Sequence, residues 1–75
     1  MNTTEIDQTL KKIGAKVREQ RKKTHRNYED WARINNINKV TLNRCERGDV
    51  VSTKNLFLIL NRLNVSPAKF FKDFK

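Results

Sequence analysis

The sequence has one cysteine, one proline, one histidine and two glycines in 75 residues. A single cysteine excludes an internal disulfide and any paired-cysteine zinc set, and His25 by itself cannot make a metal site. No long apolar run exists. The longest, "LFLIL" at 56–60, falls far short of the roughly 18 residues that a membrane span needs. The opening "MNTTEIDQTLKK" lacks the apolar stretch of a signal peptide. No paired carboxylates, Ser–His–Asp set or metal-ligand cluster supports catalysis. The expectation is a single small cytoplasmic domain with a marginal core, not an enzyme, with no cofactor and no metal.

Positive charge is abundant. Lys and Arg number 17 against 8 Asp and Glu, for a net charge of +9. Eight of those cations fall in residues 11–26, where Glu19 is the single acid. Such a balance suits an anionic polymer or an anionic membrane surface. A membrane-surface protein needs one long amphipathic helix with a Lys/Arg face opposite Trp, Phe and Leu. The sequence has no such helix, so no membrane partner is expected.

With so few helix breakers and no sustained alternation, the chain reads as all-α. Five helices are expected. The first runs over about 7–23, with Leu10, Ile13, Gly14 and Val17 on one face. The second follows Asn27, a good N-cap, turns Trp31 and Ala32 inward, and ends near Asn35. The third follows Asn38, another N-cap, and stops at Gly48, which suits a left-handed C-terminal position. The fourth follows Ser52 or Thr53 and shows Leu56, Ile59, Leu60 and Leu63 at helical spacing. The fifth opens on Ser66-Pro67, a cap followed by proline at the first helical position, and buries some of Phe70, Phe71 and Phe74. Residues 1–8 offer little to bury and are expected to be partly disordered, leaving 9–75 as the domain.

The third helix divides by geometry. Leu42, Cys45 and Glu46 share one side, while Lys39, Val40, Asn43, Arg44 and Arg47 lie on the other. Glu46 therefore ends an apolar stripe. On the first helix, Arg21 lies four residues beyond Val17 and also ends an apolar stripe. A half-buried charge is costly unless it is paired. The economical inference is that Arg21 and Glu46 meet in a bidentate ion pair; the alternative is two solvated surface charges.

These residues, in this order, resemble the lambda-repressor-like helix-turn-helix class, the Cro/CI or XRE family. The stretches that carry the resemblance are "IGAKVREQR" at 13–21, "NYEDWA" at 27–32, "INKVTLNRCERG" at 37–48 and "LNVSPAKFF" at 63–71. The resemblance implies a five-helix bundle in which the second and third helices form a DNA-reading unit, and it also implies the Arg21–Glu46 pair. The sequence departs from the family pattern at several positions. Arg26 stands where an aliphatic residue is usual, Asn35 where an apolar one is, Asn36 where glycine is usual in the turn, and Tyr28 where glutamine is usual. Asn tolerates the left-handed conformation. Trp31 stands in place of leucine and can restore volume to a core thinned at the first two of these positions.

A helix fits the major groove and turns its N-terminal half toward base edges. Lys39, Val40, Asn43 and Arg44 are the candidate base readers. Arg44 suits a guanine, Lys39 a guanine or a phosphate, Val40 a thymine methyl and Asn43 an adenine. Asn27, Tyr28, Asn38, Arg47 and Arg26 are the candidate phosphate contacts. The bland alternative is a solvated helix face, with "RKKTHR" at 21–26 a solvated basic turn. Cys45 reads as a small core residue, not a redox sensor. Phe57 and Leu58 cannot both point inward, so they and Phe74 are candidates for a dimer contact; otherwise one packs under the last helix and the other is merely exposed.

The expected function is a sequence-specific, double-stranded-DNA-binding transcriptional regulator of Cro/CI type, reading an inverted repeat as a homodimer that forms mainly on DNA. No small-molecule ligand is expected. A second expectation, of a different class, is a protein-interaction adaptor or antitoxin-like module that uses the same fold to hold a partner.

Overall fold

A computed structural model describes residues 2–24, 27–72 and 74. The described chain is all helical: α1 spans Thr3–Lys22, α2 Tyr28–Ile34, α3 Lys39–Arg47, α4 Thr53–Arg62 and α5 Pro67–Phe70. Every N-terminus carries a polar cap. Asn2, Asn27, Asn38, Ser52 and Ser66 each accept a hydrogen bond from a backbone N–H of the following turn. Each such cap stabilises its helix by about 1 kcal/mol.

The first helix begins four residues earlier than the apolar periodicity predicts. Asn2 Oδ1 accepts from the Glu5 N–H at 2.9 Å, and Glu5 supplies negative charge to the first turn. Residues 3–8 are exposed throughout. They are helical because they are capped, and burial periodicity carries no signal where nothing is buried. The other helix starts fall at the expected caps, with Ser52 and not Thr53 capping α4.

The core consists of Val17, Trp31, Ala32, Ile37, Leu42, Cys45, Ile59, Leu60 and Phe70. Full burial of Leu42 or Ile59 is worth about 1.5–3 kcal/mol each. Ile37 joins this core from the turn between α2 and α3. Its N–H donates to the Ala32 carbonyl at 2.8 Å, while Asn36 before it takes φ +56° and reverses the chain. Asn35 does not simply vacate a core position. Its Nδ2 donates to the Trp31 carbonyl at 2.9 Å, and its own carbonyl accepts from Arg62 Nε at 3.1 Å.

Both glycines lie where α1 crosses α3. A Cβ on Gly14 would collide with the Cys45 carbonyl oxygen and stand 2.7 Å from that of Glu46. A Cβ on Gly48, which has φ +87°, would stand 2.8–2.9 Å from Lys11 carbons. The two backbones therefore approach too closely for any side chain between them. Lys16, from the basic stretch, ties α1 to the C-terminal segment. Its Nζ donates to the Phe70 carbonyl at 2.6 Å and lies 5.2 Å from the ring centres of both Phe70 and Phe74.

Candidate functional site

The candidate site is built on α3. Its inner side is anchored by Leu42 and Cys45, both buried, and by Glu46. Arg21 Nε donates to Glu46 Oε2 at 2.6 Å and Arg21 Nη2 to Glu46 Oε1 at 2.9 Å, with side-chain exposures of 3% and 8%. The charges at the ends of the two apolar stripes thus meet in a bidentate pair that sets the rotation of α3 about its axis. Burial, together with the neighbouring Glu46 charge, pushes the Cys45 thiol up to about 11. A thiol in that environment stays protonated and acts as a small core group.

The outer side carries the proposed readers. Lys39, Val40 and Arg44 are exposed, Val40 at 59%, and Asn43 is half-buried. Arg44 makes no ion pair among the described residues, whereas the cations at the two ends of the helix do. Lys39 Nζ lies 3.5 Å from Glu29 Oε2 on α2, and Arg47 Nη2 donates to Asp49 Oδ2 at 3.2 Å. Neither Glu29 nor Asp49 is singled out by periodicity, because both lie off the apolar stripes.

Asn27 and Asn38 use their Oδ1 atoms as caps. Asn27 accepts from Glu29 N and Asp30 N at 2.8 and 3.3 Å, and Asn38 from Val40 N and Thr41 N at the same two distances. Their amide groups are the atoms with which they would donate to a phosphate. Tyr28, half-buried at the start of α2, lines a cleft of about 220 Å³ together with Arg18, Arg21, Asn43, Glu46 and Arg47. This cleft joins two proposed phosphate contacts, Tyr28 and Arg47, to one proposed base reader, Asn43. It also adds Arg18, which lies one helical turn before Arg21, so the same spacing argument would reach it. Arg26 and His25 lie outside the described residues.

Phe57, Leu58 and Phe74 do not form one open patch. Phe57 is 45% exposed and lines a hollow between α4 and α5 with Asn61, Val65 and Pro67. Leu58 packs against the core. Phe74 is half-buried; it stacks on Phe70 at 5.9 Å, meets Phe71 edge-on at 5.5 Å, and lines a different hollow beside Lys12 and Lys16 of α1. The reason is the width of the α4 apolar face: Leu58 fits within it and Phe57 does not.

No family model matches the sequence, and no curated protein or solved structure matches it either. No helix among the described residues is long and apolar enough to cross a membrane.

Proposed function

We propose that this chain is a sequence-specific double-stranded-DNA-binding regulator with a lambda-repressor-like helix-turn-helix, reading the major groove with α3. The observation that carries this proposal is the two-sidedness of α3. Its inner side is buried through Leu42 and Cys45 and tied to α1 by the Arg21–Glu46 pair, while Lys39, Val40 and Arg44 are exposed and Asn43 lies half-buried beside them. A rigidly held helix with Lys, Arg, Asn and a small apolar group can read donors, acceptors and thymine methyls together. Arg47, Tyr28 and Arg18 around the neighbouring cleft, and the amides of Asn27 and Asn38, take phosphate contacts that position the helix. The net charge of +9 supplies the sequence-independent part of the attraction.

One such domain reads only a few base pairs, too few to single out one site in a genome. In this proposal two copies bind an inverted repeat, their third helices entering successive major grooves roughly 34 Å apart. The contact between copies is centred on Phe57, the exposed member of the three apolar candidates. It is small, so the dimer forms mainly on DNA.

Selection from random duplex DNA, followed by binding across a range of salt concentrations, tests the proposal. A recovered inverted-repeat site whose affinity falls steeply with salt supports it. Failure to enrich any sequence, with weak and uniform binding, would sink it in favour of the adaptor.

A further inference from the structure

Asp49 is an acid on a surface otherwise suited to phosphate, and its position is set by the backbone. Its N–H donates to the Arg44 carbonyl at 2.9 Å, closing the turn around Gly48, whose φ is +87°. The carboxylate therefore stays at the end of α3. There it accepts from Arg47 Nη2 at 3.2 Å, in a pair exposed at 60% and 55%. Arg47 also lines the cleft shared by Arg18, Tyr28 and Asn43. Its long flexible side chain can serve either neighbour; the Asp49 carboxylate sits on a short side chain whose backbone N–H is bonded to the Arg44 carbonyl, so it stays near the end of α3.

We propose that Asp49 is an intramolecular competitor for Arg47, holding the guanidinium in the free protein until a DNA backbone phosphate displaces the carboxylate. This inference rests on the DNA-binding reading of α3. Exchange of one oxyanion for another leaves Arg47 with as many bonds as before, so the phosphate contact adds less net affinity than an unpaired arginine would supply. Asp49 then stands unpaired beside a phosphate, which lowers affinity further. Both effects act on every duplex alike, whatever its sequence. Arg44, which has no ion pair among the described residues to exchange, keeps its full contribution. The device therefore holds down general affinity and leaves discrimination to the base contacts.

The test is a binding cycle with the full chain on two duplexes, one carrying the selected site and one a scrambled sequence. Asp49→Asn should tighten binding to both by about 3–10-fold at roughly 0.1 M salt. In an Arg47→Ala background the same change should tighten binding clearly less, the remaining gain being relief of through-space repulsion. Thermal melts of all four proteins should coincide, since both side chains are exposed. If Asp49→Asn tightens binding equally with and without Arg47, Asp49 acts by through-space repulsion alone; the inference then falls while the DNA reading stands. It also falls if Asp49→Asn leaves affinity unchanged. If the wild-type chain binds neither duplex, the DNA reading falls, and the inference with it.

Discussion

Arg21 and Glu46 join α1 to α3 through two parallel bonds of 2.6 and 2.9 Å, with both side chains almost fully buried. Twenty-five residues of sequence separate them. The pair fixes which side of α3 faces inward, and so which residues face out. Buried pairs of this kind contribute little against an apolar replacement, but removal of one partner leaves an uncompensated charge.

Glu46→Gln is therefore expected to lower unfolding free energy by about 3 kcal/mol. A denaturant-unfolding cycle with Arg21→Ala and Glu46→Ala checks the coupling. Strictly additive losses would show that the two side chains do not support each other.

Gly14→Ala should reverse the usual sign. In an open helix interior this change stabilises by about 0.5–1 kcal/mol. Here the added methyl meets the backbone carbonyls of Cys45 and Glu46, which belong to a helix and cannot swing aside. A loss on the order of 2 kcal/mol is expected. A raised melting temperature would mean that α1 and α3 do not approach this closely.

Arg44→Ala should cost roughly 1–3 kcal/mol on the selected site and relax preference at one base pair. Arg47→Ala should weaken all sequences similarly and make the salt slope shallower by about one unit. Loss of specificity from Arg47→Ala, with Arg44→Ala silent, would exchange their roles.

Phe57→Lys should abolish cooperative binding to an inverted repeat while sparing half-site affinity and the melting temperature, because Phe57 is largely solvent-facing. Leu58→Lys should instead destabilise the fold, since Leu58 packs against the core. Unchanged cooperativity in a folded Phe57→Lys protein would remove Phe57 from the dimer contact.

Cys45 predicts a pH dependence. Its thiol is raised from an ordinary value of 9.0 to about 11 by burial and by Glu46. The folded state thus binds this proton more tightly than the unfolded state does. The associated stability is fully present below pH 9 and is lost as pH rises from 9 toward 11. Unfolding curves across that window should show the decline in wild type and a smaller one in Cys45→Ala. Equal slopes in the two proteins would assign the decline to other groups.

The helices and their caps were legible in the sequence because the interactions that make them are local. An Asn or Ser at 27, 38, 52 or 66 satisfies an N–H two or three residues on, and Gly48 takes the left-handed position that ends α3. The separation of Leu42 and Cys45 from Val40, Arg44 and Arg47 follows from 3.6-residue periodicity alone, and so does the position of Arg21 and Glu46 at the ends of their stripes; Lys39, seven residues before Glu46, falls at the boundary, and its exposure is set by the tertiary structure. Only the tertiary structure decided the rest. Gly14 reads as one more small residue on an apolar stripe until a second helix crosses it. Lys16 reads as part of a solvated basic run until Phe70 and Phe74 fold over it. The choice between Phe57 and Leu58, the entry of Ile37 into the core from a turn, and the capture of Arg47 by Asp49 depend on where whole elements come to rest. Each is a contact between groups whose directions are set by separate segments of backbone, and periodicity within one helix carries no information about the position of another.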